Sequence, residues 1–118
     1  VSAYDFPRSV RLLTAADYAG VFRHSKRYSG RYVTILAHST GKPARLGLAI
    51  AKKKAKRASD RNRLKRLTRE SFRHRRFQLH GFEMVVMNRE NADKAASHLI
   101  RKELDRLLRQ IAPDSVSG

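Results

Sequence analysis

Apolar positions fall into six groups whose spacing changes along the chain. Between Thr14 and His24, Tyr18, Val21 and Phe22 recur at three- and four-residue intervals, the period of one helix face. Thr14 followed three residues later by Asp17 resembles a capping box, with Asp replacing the usual Glu or Gln. The spacing therefore predicts a helix ending near His24. Residues 31–38 are rich in β-branched and aromatic types, among them Tyr32, Val33, Thr34 and Ile35, and predict a first strand. Leu46, Leu48 and Ile50 then alternate with Gly47, Ala49 and Ala51, a second strand with one large-residue and one small-residue face. Turn chemistry at Ser39, Gly41 and Pro43 joins the two, which suggests an antiparallel hairpin. A helix follows from about Arg57 to Phe77, then a third strand at Phe82–Met87, introduced by His80 and Gly81. From Ala92 to Ile111 the residues Leu99, Ile100, Leu104, Leu107, Leu108 and Ile111 mark an amphipathic helix with a break near its start. The order α-β-β-α-β-α is that of an α+β sandwich, helices against a small central sheet.

Length and composition narrow the class. At 118 residues one domain is expected, spanning 1–118 with an ordered core at about 6–111 and a frayed polar tail at 112–118. A hydrophobic fraction of 41% is enough for a core and argues against a disordered basic tail. With no Cys there is no disulfide framework and no thiolate metal site. The apolar runs at 46–51 and 82–87 are far too short to cross a bilayer. No charged-then-apolar segment opens the sequence, so a soluble cytoplasmic protein is expected. The 27 Lys and Arg against 10 Asp and Glu give a formal charge of +17. Such an excess calls for a polyanion, with nucleic acid first and an anionic membrane surface second.

The charge is unevenly placed. Residues 52–76 hold 13 basic and 2 acidic side chains, +11 in 25 positions, whereas residues 77–118 balance at zero. On a helical wheel at about 100° per residue, Leu67, Thr68 and Ser71 fall within about 60° of Leu64 and form a narrow packing face. Asn62, Lys65, Arg66, Arg69, Arg73 and Arg76 gather on the opposite side, and Phe72 sits at the border between the two. The stripe is roughly 20 Å long at ~1.5 Å per residue. A solvated helix face would normally relieve its repulsion with alternating signs, and only Asp60 and Glu70 are available here. A polyphosphate removes that repulsion and adds counterion release, and arginine's planar fork suits phosphate. Base specificity is not indicated.

No constellation for protein-borne hydrolysis stands out. His24, His38, His74, His80 and His98 lack metal-ligand spacing. No phosphate-cradling glycine loop is present, and Asp5, Asp17, Asp60 and Glu70 are scattered.

The segment Lys52-Lys53, Ala58, Arg61-Asn62, Lys65-Arg66, Arg69-Glu70, Phe72-Arg73 closely resembles the signature of the bacterial ribonuclease P protein component. Phe6-Pro7, the run Arg11, Leu12 and Leu13, the Tyr18–Phe22 helix, Gly47-Leu48 and the strand at 82–86 match that family's layout as well, so the resemblance spans about Phe6 to Leu108. It implies a ribosomal protein S5 domain 2-like fold with a left-handed βαβ crossover. It also implies a protein subunit that binds a catalytic RNA and the 5′ leader of precursor tRNA, assisting endonucleolytic removal of the leader. Mg²⁺ would be bound by the RNA in the holoenzyme, with none held by a protein-only site and no catalytic group on this chain. By the same resemblance Arg57, Arg61, Asn62, Lys65, Arg66, Arg69 and Arg73 contact the RNA subunit. Tyr18, Phe22, Tyr32, Lys52, Lys53 and Arg89 form the leader cleft, where aromatic platforms in a positive groove suit a single strand. Tyr18 and Phe22, four apart on a helix, equally suit a core. No protein partner or membrane is indicated. The competing class is a ribosomal-type or general RNA-chaperone protein without a nuclease role. Membrane binding is weaker, because the basic helix lacks a broad apolar face.

Overall fold

Thr14 starts the first helix as its spacing predicts. Its hydroxyl accepts the Asp17 N–H at 3.1 Å, and its own N–H donates to the Asp17 carboxylate at 3.1 Å, which satisfies two otherwise orphaned donors. In the computed structural model, which describes residues 11–12 and 14–113, this helix is α1 (Ala15–His24), followed by strands β1 (Lys26–Ser29), β2 (Val33–Ser39) and β3 (Arg45–Ala49). Helix α2 (Ala58–His74), strand β4 (Phe82–Asn88), a 3-10 turn at Ala92–Lys94 and helix α3 (Ser97–Ile111) complete the chain. Phe6, Pro7, Leu13 and the tail beyond Pro113 lie outside the described residues.

The sheet order is β1-β2-β4-β3, and it corrects the expected hairpin. Strands β2 and β3 do not pair; β4 lies between them, antiparallel to β2 and parallel to β3. Hydrophobicity explains the placement. Met84, Val85 and Val86 are fully buried, with Val85 in one core cluster and Val86 in the other. A strand buried on both faces belongs at the centre of a sheet. A parallel pair needs a long crossover, and α2 lies within the one joining β3 to β4. The true hairpin is β1–β2, turning through residues 30–32. Strand β1, Lys-Arg-Tyr-Ser in sequence, carries one apolar residue and escaped the pattern. As an edge strand it needs to bury only Tyr28. Tyr32, expected on the first strand, instead stands in the bend before β2.

Helices cover both faces. On one, α2 and α3 enclose Val33, Ile35, Leu46, Met84 and Val86 with Leu64, Phe72, Ile100, Leu104 and Leu107. Phe72, expected at the border of α2, is fully buried here. On the other face α1 lays Val21 over Leu36 and Val85, with Tyr18, Ala49 and Met87 at the margin. The small-residue face of β3 is what admits α1. A Cβ added at Gly47 would lie 2.7 Å from a ring carbon of Tyr18, and the Tyr18 hydroxyl accepts the Leu48 N–H at 3.1 Å. Gly47→Ala should therefore lose ~1–3 kcal/mol of stability by overpacking, and much less in a Tyr18→Ala background. Equal losses in urea melts of the two backgrounds would contradict this contact. Arg45 fixes the same corner, 2.9 Å from both Asp17 and Glu83. Partial burial disfavours its charge, but the two carboxylates outweigh that and hold its pKa above the usual arginine value.

Candidate nucleic-acid interface

The packing face of α2 is the one the helical wheel selects. Leu64, Leu67, Thr68, Ser71 and Phe72 are buried, and the Ser71 hydroxyl donates to Asp105 of α3 at 2.6 Å. With that face anchored, Asn62 and Arg66 stand exposed, and Lys65, Arg69, Arg73 and Arg76 are half-exposed along the same side. Arg66 lies 3.9 Å from Glu70, whose other oxygen meets Arg101 at 3.3 Å.

Not every cation of the segment joins the stripe. Arg61 turns back over the helix start and donates to the carbonyls of Ala55 and Lys56 at 2.9 and 2.7 Å. Arg63 donates to the carbonyls of Asp93 and Ala95 and to the Ser97 hydroxyl, and Arg75 donates to the Ala112 carbonyl. These three tie α2 to its surroundings through backbone oxygens. Arg57 occupies the N-cap position with no side-chain cap and stays exposed. It lines a cavity of about 520 Å³ with Lys53, Lys54, Lys56 and Lys94, where Asp60, Glu90 and Asp93 also stand. Lys52 and Lys53 sit in a turn after β3, both exposed.

Tyr18 and Phe22 divide between the two readings left open by their spacing. Tyr18 is half-buried and hydrogen-bonded to β3, whereas Phe22 is 50% exposed. Beside them the face of the sheet that carries α1 presents Ala49 and Met87, both half-buried. By strand alternation Ser29 and Thr34 extend that surface, joined hydroxyl to hydroxyl at 3.1 Å. A cavity of about 390 Å³ brings Arg69 of α2 together with Arg11, Leu12 and Tyr18, over Leu46 and Leu48. Arg69 thus reaches the concavity that holds the first-helix tyrosine.

Tyr32 and Arg89 go elsewhere. Tyr32 packs against the larger core cluster, on the side of α3. The Arg89 guanidinium donates to the Gly30 carbonyl and its N–H to the Tyr32 carbonyl at 2.8 Å, so this residue closes the β1–β2 turn. One aromatic escaped notice as a surface feature. Phe77 is 84% exposed beyond the end of α2, with the Arg76 guanidinium 5.8 Å from its ring centre. The sequence-level signal was an aromatic beside the last cation of the stripe.

The carboxylates are largely committed to the fold. Asp17 and Glu83 hold Arg45, Asp105 holds Ser71 and Arg101, and Glu103 accepts three backbone N–H groups. Among the described residues no group of His, Asp and Glu is placed to hold a metal ion. Nor, among them, is any helix long and apolar enough to cross a membrane.

The likenesses to known proteins agree with this layout. A family model described as Ribonuclease P matches residues 6–112. The ribonuclease P protein component of Aliivibrio salmonicida is 41% identical over 114 residues, covering 95% of this chain and 97% of that one. That of Salmonella arizonae is 41% identical over 107 residues, 89% of each. Among solved structures, the RNase P protein of Thermotoga maritima superposes with a TM-score of 0.74 at 28% identity, over 92% of this chain and 98% of that one. The RNase P protein of Staphylococcus aureus shares the fold, with a TM-score of 0.79 at 22% identity over 86% and 94% of the two chains. With an outward basic stripe on α2 and an aromatic concavity beside α1, this chain belongs to the bacterial ribonuclease P protein family.

Proposed function

We propose that this chain is the protein subunit of ribonuclease P, binding the catalytic RNA through α2 and the 5′ leader of precursor tRNA in the concavity beside α1. The observation that carries the reading is the pairing of these two surfaces through Arg69. One arginine lies on the outward stripe and also lines the cavity with Tyr18. A leader held there is continuous with the RNA-bound face. Phe22 supplies an exposed ring on which a base can stack, worth ~1–3 kcal/mol per base. Arg57, Asn62, Lys65, Arg66, Arg69 and Arg73 meet phosphates, and Lys52 and Lys53 add charge where β3 ends.

Hydrolysis itself falls to the RNA. Mg²⁺ bound there would supply the activated water and stabilise the leaving oxygen. The residues of this chain position the substrate, and the carboxylates of Asp17, Glu83, Glu103 and Asp105 are occupied in holding helices and strands together. The protein would work in the cytoplasm, where precursor tRNA is made in bacteria.

Reconstitution tests the reading. With a bacterial ribonuclease P RNA at low Mg²⁺, cleavage of leader-bearing precursor should depend on this protein; no stimulation under any salt condition would sink it. Phe22→Ala should reduce the preference for leader-bearing over mature tRNA roughly 5- to 150-fold and leave affinity for the RNA subunit nearly unchanged. Equal affinity of the wild-type holoenzyme for both tRNAs would favour the chaperone alternative.

A further inference from the structure

The zero net charge of residues 77–118 conceals a second segregation. On α3 the cations Lys102, Arg106 and Arg109 recur at intervals of four and three and all stand exposed. Two acids lie between them, Glu103 and Asp105, and each is already engaged by other groups of the fold. Glu103 is buried and accepts the N–H groups of Arg31, Tyr32 and Val33, and Arg106 pairs with it loosely at 3.8 Å. Asp105 accepts from Ser71 and Arg101 on the seam with α2. At about 100° per residue, the three cations lie roughly 80–140° round the helix from Arg101, clear of that seam.

Their side of α3 borders a cavity of about 480 Å³, closed opposite by Arg31 and Tyr32 of the β1–β2 turn and lined also by Leu99 and by the carboxylates Glu103 and Asp105. The floor is apolar. Leu99 is 41% exposed, and the half-buried Tyr32 ring carries the Arg31 guanidinium 5.9 Å from its centre. Four cations against two carboxylates that the fold already engages leave a net positive rim around an aromatic and aliphatic floor, the components of a single-strand binding site: charge for the backbone and a flat face for a base. A second copy of a chain bearing +17 would be repelled from such a rim.

We propose that this pocket is a further RNA-binding site. Phosphates of a single-stranded segment lie on Arg31, Lys102, Arg106 and Arg109, and one base lies against Tyr32 and Leu99. The inference rests on the ribonuclease P reading and adds a surface to it. Tyr32 belongs to this site and not to the leader concavity. The strand could come from the RNA subunit or from precursor tRNA, and the test separates the two.

Because the chain has no Cys, a Leu99→Cys variant carries a single thiol for a photo-crosslinker, with Asn62→Cys on α2 as the reference position. Each labelled protein is assembled with ribonuclease P RNA and differently end-labelled precursor tRNA, then irradiated. The expected result is an RNA adduct from both positions, the label showing which RNA lies at Leu99. Adducts from Asn62→Cys but none from Leu99→Cys, or adducts from Leu99→Cys only to an added acidic protein, overturn the site and leave the function reading standing. If neither position reaches RNA and precursor is not cleaved, both readings fall. A Lys102→Gln/Arg106→Gln variant gives an independent measure. Loss of two single-strand phosphate contacts should flatten the log–log salt dependence of RNA affinity by ~1.4 with thermal unfolding unchanged, and an unchanged slope overturns the proposal.

Discussion

Glu103→Ala is expected to lower the unfolding free energy by ~3–5 kcal/mol, a large part of the 5–15 kcal/mol typical of a domain. The Glu103 carboxylate accepts N–H groups from three successive residues, at 2.7 Å for Tyr32 and 2.9 Å for Val33 in addition to Arg31. It is nearly buried, so truncation leaves those donors facing a cavity. Hydrogen bonds to a charged group contribute roughly 1.5–3 kcal/mol each, and partial access of water to Arg31 and Tyr32 keeps the total below a simple sum. Alanine is the better helix former, so any loss cannot come from α3's own propensity. The urea midpoint should fall by more than ~1 M for a slope of roughly 1–3 kcal/mol per M, whereas an unchanged midpoint would show that the clamp contributes nothing. Gly30→Ala should act through the same contact, since a Cβ there would lie 2.2 Å from the carboxyl carbon. The two substitutions together should cost little more than either alone.

That clamp also shows where sequence reasoning ran short. Periodicity located α1, α2, β4 and α3 to within a few residues because each buries one face, and burial leaves its period in the chain. It could not see β1, whose edge position asks almost nothing of its side chains, nor that β4 would enter between β2 and β3. Neighbouring strands with a short turn favour a hairpin locally. The decision was made by Val85 and Val86, far along the chain, which need cover on both faces. The site was legible to the same degree. The wheel separated Leu64 from Arg66, but counting charge treated Arg61, Arg63 and Arg75 as equals of Arg66. Which arginine turns to a backbone carbonyl depends on loops that a wheel does not contain. Counting likewise hid the cations of α3, whose acidic neighbours are hydrogen-bonded to Tyr32 and Ser71.

Arg66→Ala with Arg69→Ala is expected to weaken binding of ribonuclease P RNA roughly 100-fold or more, taking each charge-assisted contact at ~1.5–3 kcal/mol. The slope of log affinity against log salt should flatten by ~1.4–1.8 for two phosphates lost. The single variants should differ in kind. Arg66 is exposed and faces outward, so Arg66→Ala should act on the RNA subunit alone. Arg69 shares its cavity with Tyr18, so Arg69→Ala should also reduce the preference for leader-bearing precursor. Arg61→Ala supplies the contrast, because its guanidinium holds the carbonyls of Ala55 and Lys56. That change should lower the melting temperature as well as RNA affinity. Titrations over a range of salt, with thermal melts of each variant, check all three. An affinity loss alone would not distinguish a lost phosphate from a loosened helix start, but the slope counts phosphates. If it is unchanged in the double variant, the stripe on α2 does not face RNA.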